Sequence, residues 1–235
     1  LSILHNAEKH KQSRFFLKMD LKDFFPSISF GDFVPILREW HKKNSPDWPL
    51  DADVEDMIRR ICFYNNDRLA IGYPSSPIIS NIVMHGFDLK VSALVADDKY
   101  GKVIYTRYAD DLVFSTSKIG ACLKIKEAIE RLVEDERCPD ISVNHSKTKL
   151  GSSTGGSASV TGLKVCPGGH ITIHRKQKDH IRLLLGLYRK GRLNQEEEKS
   201  LLGHLSYCHY VAPDFYTNLS KKYFKEIHHL RSKYL

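Results

Sequence analysis

The chain has 235 residues, with 36 Lys and Arg against 28 Asp and Glu and a sequence pI near 9.1. That length buries a sizeable core in one or two subdomains, and no apolar run reaches the length of a membrane span or a signal peptide. The five cysteines are odd in number and include no Cys-x-x-Cys pair, which points to reduced thiols in a cytoplasmic protein with no membrane partner.

Residues 1–14 are polar, with room for a short helix, and Phe15–Asp20 is an apolar strand ending in a carboxylate. Asp23 stands where it caps the helix that follows, which leaves it out of the metal ligands. Helical patterns cover 31–43 and 52–64, separated by a proline-broken loop at 44–49. A long helix is expected over 76–96, with Pro74 and Pro77 at its start. Residues 103–115 read as two β-branched and aromatic strands around a tight turn, Ala109-Asp110-Asp111. Cys122, Ile125, Ile129, Leu132 and Val133 recur at helical spacing, so 118–136 packs one face on a sheet. A short strand at 141–143, a Gly/Ser-rich mobile loop at 151–159 and a hairpin of 160–165 with 170–174 follow. Helices are expected over 176–190, 195–209 and 215–234. Cys166, His170 and His174 are regularly spaced, but Pro167-Gly168-Gly169 reads first as a turn, which sets zinc aside.

Two adjacent carboxylates on a turn between apolar strands repel each other and resist burial. A divalent cation offsets both costs, and oxygen-only ligands select a hard ion such as magnesium. A lone Asp-Asp turn is ordinarily just a solvated turn. Here Asp20, ninety residues upstream at the end of another apolar strand, supplies a third carboxylate for a two-metal phosphoryl-transfer site.

These motifs resemble those of reverse transcriptases. Asp20-Leu21-Lys22-Asp23-Phe24-Phe25-Pro26-Ser27-Ile28 resembles the first palm motif, and Tyr108-Ala109-Asp110-Asp111 resembles the catalytic hairpin. Gly72-Tyr73-Pro74-Ser75-Ser76-Pro77 and Ile78-Ile79-Ser80-Asn81 resemble the loop and helix that line the nucleotide site, and Asn144–Thr148 the lysine-bearing motif after the hairpin. Val160-Thr161-Gly162 is similar to a triplet of bacterial retron enzymes. The resemblance covers nearly the whole chain. It implies an α+β fold: a right-hand polymerase palm, an antiparallel sheet packed on helices, over 1–174, and a basic helical thumb over 175–235. It also implies a fingers region upstream of this chain.

By the same resemblance, Asp20, Asp110 and Asp111 bind two Mg2+ ions with the Leu21 carbonyl, and Lys147 positions or protonates pyrophosphate. Leu21, Phe25, Gly72, Tyr73 and Ser76 line the nucleotide pocket, with Phe25 beneath the incoming sugar. Two positions depart from the family pattern: Ile71 stands where Gln is usual before the glycine, and Tyr73 where a small residue is usual. Ile71 cannot offer the amide hydrogen bonds of Gln.

Residues 175–235 hold 13 Lys and Arg against 6 Asp and Glu, leaving 23 against 22 for residues 1–174. That separation fits polyanion binding by the C-terminal helices. Lys221, Lys222 and Lys225 are candidate RNA-binding residues there, and Val160, Thr161 and Gly162 are candidates for recognising a specific RNA. The expected function is a retron-type RNA-directed DNA polymerase that copies a structured noncoding RNA from deoxynucleoside triphosphates, with a possible effector protein, in antiphage defence. Group II intron-like and diversity-generating enzymes are the alternatives within the family. A nucleic-acid-binding scaffold with a vestigial site is the alternative of another class.

Overall fold

The computed structural model describes residues 2–65, 67–137 and 139–234; Cys138, one of the five cysteines, lies outside them. Helix α1 spans Ile3–His10 and strand β1 Phe15–Asp20. Four helices follow: α2 (Phe24–Ser27), α3 (Phe30–Asn44), α4 (Ala52–Cys62) and α5 (Ser76–Val83). Helix α6 (His85–Val95) precedes the hairpin of β2 (Val103–Tyr108) and β3 (Asp111–Thr116), then come α7 (Ala121–Asp135) and β4 (Lys149–Ser152). Strands β5 (Ala158–Val160), β6 (Leu163–Val165) and β7 (Ile171–Thr172) precede the helices α8 (Arg175–Arg189), α9 (Gln195–Val211), α10 (Pro213–Lys222) and α11 (Phe224–Tyr234).

The chain divides into two compact units, residues 14–151 and residues 1–13 with 152–235. This division differs from the expected 174/175 boundary, because α1 packs on β5 and β6 and so belongs with that small sheet. Within 14–151 the sheet order is β2-β3-β1-β4, and β3 pairs antiparallel with both β1 and β2. Leu17 and Met19 of β1 and Leu112 and Phe114 of β3 join one core with Ile79, Val83, Phe87, Val91, Ile125 and Ile129 from the helices. The second unit pairs β5-β6-β7 antiparallel and has its own helical core around Ile181, Leu185, Leu201, Leu205 and Leu230.

Several expectations change. The helix expected over 76–96 is two helices meeting at 51°. The bend lets Ile79 and Val83 on one side, and Phe87, Val91 and Val95 on the other, reach the same core around the fully buried Met84; Gly86 is a weak point beside it. The helix expected over 215–234 also breaks, at Tyr223, whose ring is buried against Arg189 and Lys222. The strand expected at 141–143 reduces to one bridge, Leu21 with Val143. Residues 160–165 are not one strand: Thr161 (φ 43°) and Gly162 (φ 81°) form a tight turn between β5 and β6. The loop at 151–159 loses both its ends to β4 and β5. Asp23 precedes α2 with a left-handed backbone, and its side chain makes no capping hydrogen bond. Among the described residues no single helix is long and apolar enough to cross a membrane; only the bent α5–α6 pair passes, by length and composition.

Candidate active site

Strand pairing assembles the acidic residues. Asp20 ends β1 directly opposite Asp111, which opens β3, and the Leu21 amide donates to the Asp110 carbonyl at 3.0 Å. Tyr108 pairs with Asp111, so Ala109 and Asp110 are the two turn residues. Three carboxylates thus meet at one end of a sheet whose strands are apolar because they are buried on the helices.

The turn at Asn144–Thr148 docks on the same strand end. The Asn144 amide donates to the Asp20 carbonyl at 2.7 Å, and Lys147 and Thr148 amides donate back to the Asn144 carbonyl. This brings the Lys147 ammonium to 3.3 Å from Asp20 Oδ1 and 3.2 Å from Oδ2. Hydrogen bonding to Asp20, and then its charge, raises the Lys147 pKa and keeps the group protonated. Asp20 is only 5% exposed, and its Oδ2 accepts no aligned hydrogen bond despite the nearby ammonium. Lys18, two residues before Asp20 on the same face of β1, places Nζ 2.7 Å from Asp111 Oδ2. Burial raises the Asp110 carboxyl above the usual carboxylate range, and the charges of Asp111 and Asp20 raise it further.

Among the described residues no three His, Cys, Asp or Glu side chains stand as a ready metal-ligand group, which includes Cys166, His170 and His174. At the strand end, lysines neutralise two of the three carboxylates. The donor set still fits a hard cation: all ligands are oxygens, one buried carboxylate oxygen is unsatisfied, and like charges crowd Asp110.

The nucleotide-pocket candidates separate by role. Phe24 is buried in the core, whereas the Phe25 ring is half-buried beside it with ring centroids 5.3 Å apart. Gly72 has φ 93°, a backbone that a side chain resists, and Ile71 is 81% exposed. Tyr73 is half-buried. Ser76 is buried, and its hydroxyl donates to the Ala70 carbonyl at 2.7 Å, so it closes the loop rather than facing a ligand.

In the other unit, Val160 is fully buried, the Thr161 hydroxyl donates to the Ile3 carbonyl at 3.1 Å, and Gly162 is exposed at the turn. The triplet therefore also anchors α1. Lys221 and Lys222 end α10 and Lys225 lies in the first turn of α11; all three are exposed.

The sequence reading missed a half-buried ion pair behind the hairpin. Arg107 Nε donates to Asp88 Oδ1 at 2.9 Å and Nη2 to Asp88 Oδ2 at 2.7 Å, with Tyr105 also donating to Asp88. The available signal was Tyr105 and Arg107 sharing one face of an otherwise apolar strand.

A model of the family described as reverse transcriptase (RNA-dependent DNA polymerase) matches residues 2–204. The retron Ec73 reverse transcriptase of Escherichia coli is 43% identical over 96% of this chain and 72% of its own length. The retron Ec83 reverse transcriptase of Escherichia coli is 31% identical over 94% of this chain and 70% of its own length. The chain belongs to the retron-type reverse transcriptases. It is an RNA-directed DNA polymerase by family. Two telomerase structures share the fold. That of Candida albicans with a fragment of telomeric RNA gives a TM-score of 0.54 at 13% identity over 99% of this chain and 45% of that one. That of Candida tropicalis in apo form gives 0.51 at 14% identity over 73% and 38%. Mixed helices with an antiparallel sheet bearing the acidic hairpin are the right-hand palm of this reverse transcriptase.

Proposed function

We propose that this reverse transcriptase copies a structured noncoding RNA into DNA by two-metal nucleotidyl transfer in the cytoplasm, and that it serves antiphage defence, the latter by family resemblance. The observation that carries the chemistry is the pairing of Asp20 with the Asp110-Asp111 hairpin at one strand end.

Asp20, Asp110 and the Leu21 carbonyl would hold two Mg2+ ions, with Asp111 as the further carboxylate. When bound, the ions lower the pKa of the primer hydroxyl and neutralise the triphosphate and departing pyrophosphate. Lys18 holds Asp111 in place by its 2.7 Å ion pair. Lys147, kept protonated by Asp20, stands ready to give a proton to pyrophosphate or to position it. The Phe25 ring forms the floor under the incoming sugar, and the Gly72–Tyr73 loop admits the nucleotide. The basic helices bind the RNA–DNA duplex, and the Val160-Thr161-Gly162 turn contributes to selecting the RNA.

The test is the nucleic acid that copurifies with the full-length protein, together with primer extension on an RNA template in magnesium. A branched RNA–DNA species and extension dependent on Asp110 are expected. A protein that binds RNA but extends no primer would favour the vestigial scaffold.

A further inference from the structure

The Asp110 backbone is held from both sides. Ala109, which precedes it, has a left-handed φ of 53°, a conformation that a residue with a Cβ resists. The carbonyls of Ala109 and Asp110 are both tied. Asp110 O accepts from the Leu21 amide at 3.0 Å, and Ala109 O accepts from Arg107 Nη1 at 3.3 Å. The same Nη1 donates to Asn81 Oδ1 at 3.2 Å, while Nε and Nη2 fork onto Asp88. The guanidinium therefore links α5, through Asn81, and α6, through Asp88, to the turn that carries the catalytic carboxylate.

The Arg107 side chain is 5% exposed and its charge is matched by Asp88. It is placed neither to touch a triphosphate nor to add free positive charge to the site. A lysine, with one nitrogen in place of three, cannot make the fork to Asp88 and the reach to Ala109 together.

We infer that Arg107, anchored by Asp88, Tyr105 and Asn81, is a positioning residue that sets the backbone of Asp110 and joins the hairpin to the nucleotide-lining helix. This rests on the polymerase reading of the site. A displacement of the hairpin by about 1 Å costs on the order of 100-fold in rate when the reacting geometry is tight.

The experiment compares the full-length wild-type protein, Arg107→Lys and Asp88→Asn in steady-state primer extension and thermal unfolding. The expected result is a fall in kcat of about 10- to 100-fold with the deoxynucleotide KM within about twofold, in a variant that still unfolds cooperatively. Asp88→Asn keeps the volume and one acceptor oxygen, so it should show the same split to a smaller degree, and it decides the matter if Arg107→Lys does not fold. A folded Arg107→Lys with wild-type kcat overturns the inference. So does loss of folding in both variants, which would make the network purely structural. Failure of the underlying reading shows separately, as an inactive wild-type protein or an active Asp110→Asn variant, and takes the inference with it.

Discussion

Residues 14–151 hold 20 Lys and Arg against 21 Asp and Glu, whereas residues 1–13 with 152–235 hold 16 against 7. In the first unit Asp20 and Arg107 are folded inward, and the key charges are matched. Asp20 is 5% exposed, the Arg107 side chain pairs with Asp88, and Lys18 and Lys147 sit on carboxylates. In the second unit the ion pairs lie near the surface, as in Arg189 with Glu226 and Lys233 with Glu198, and Lys221, Lys222 and Lys225 face outward. Inward charge sets geometry, so its loss should act on chemistry abruptly. Outward charge sets a field, so its loss should act on binding in graded, salt-dependent steps.

The strongest way to break this contrast is Asp110→Asn, which removes one charge while preserving shape. Primer extension in magnesium should fall by about a thousandfold or more, with RNA affinity within about twofold. Near-normal extension would reject the assignment.

Acid should separate the units. Burial, and then the charge of Lys9, lower the His10 pKa from 6.5 to about 4. A histidine lowered on folding contributes stability that is whole above pH 6.5 and is lost as pH falls through that value toward 4, about 3 kcal/mol in all. Asp110 runs the opposite way, since a raised carboxyl is relieved by protonation. Hydrogen exchange between pH 7 and 4 should therefore show α1 and the β5-β6-β7 sheet opening before the β1-β3 pair; equal protection of both at pH 4 would remove His10 from the account.

Sugar choice sharpens the picture within the catalytic unit. Phe25→Ala should keep deoxynucleotide incorporation and raise the ribonucleotide share, shifting the ratio of the two kcat/KM values by about 10- to 100-fold. An unchanged ratio in an active variant would move the gate elsewhere, with Tyr73 next to test. The smallest effect is expected from Lys221→Gln, Lys222→Gln and Lys225→Gln combined. For every phosphate that a lysine no longer neutralises, the slope of log affinity against log salt should fall by about 0.7–0.9. A slope that does not move would make these lysines a solvated face. Replacing the Val160-Thr161-Gly162 triplet adds a specific refinement: greater harm to the specific RNA than to a generic primed template supports recognition, and equal harm supports its observed anchoring of α1.

Local pattern alone determined much of this protein. The β1 strand, the two-strand hairpin around Ala109 and Asp110, the amphipathic α7 and the order of motifs were all legible, because strand alternation, helical spacing and turn residues act over a few neighbouring positions. The approach of Asp20 to the Asp110-Asp111 pair was suggested by two acidic strand ends and strengthened by resemblance to known enzymes; physically it follows from the antiparallel register of β1 on β3. Tertiary structure alone decided the breaks at Met84 and Tyr223, where burying side chains in a shared core outweighs helix continuity. It also decided that the Ser76 hydroxyl closes its own loop, that Thr161 ties α1 to a turn 158 residues away, and that Arg107 reaches Asp88, Asn81 and the Ala109 carbonyl together. Each of these depends on which distant group meets a polar atom once water is excluded, and no local pattern encodes that.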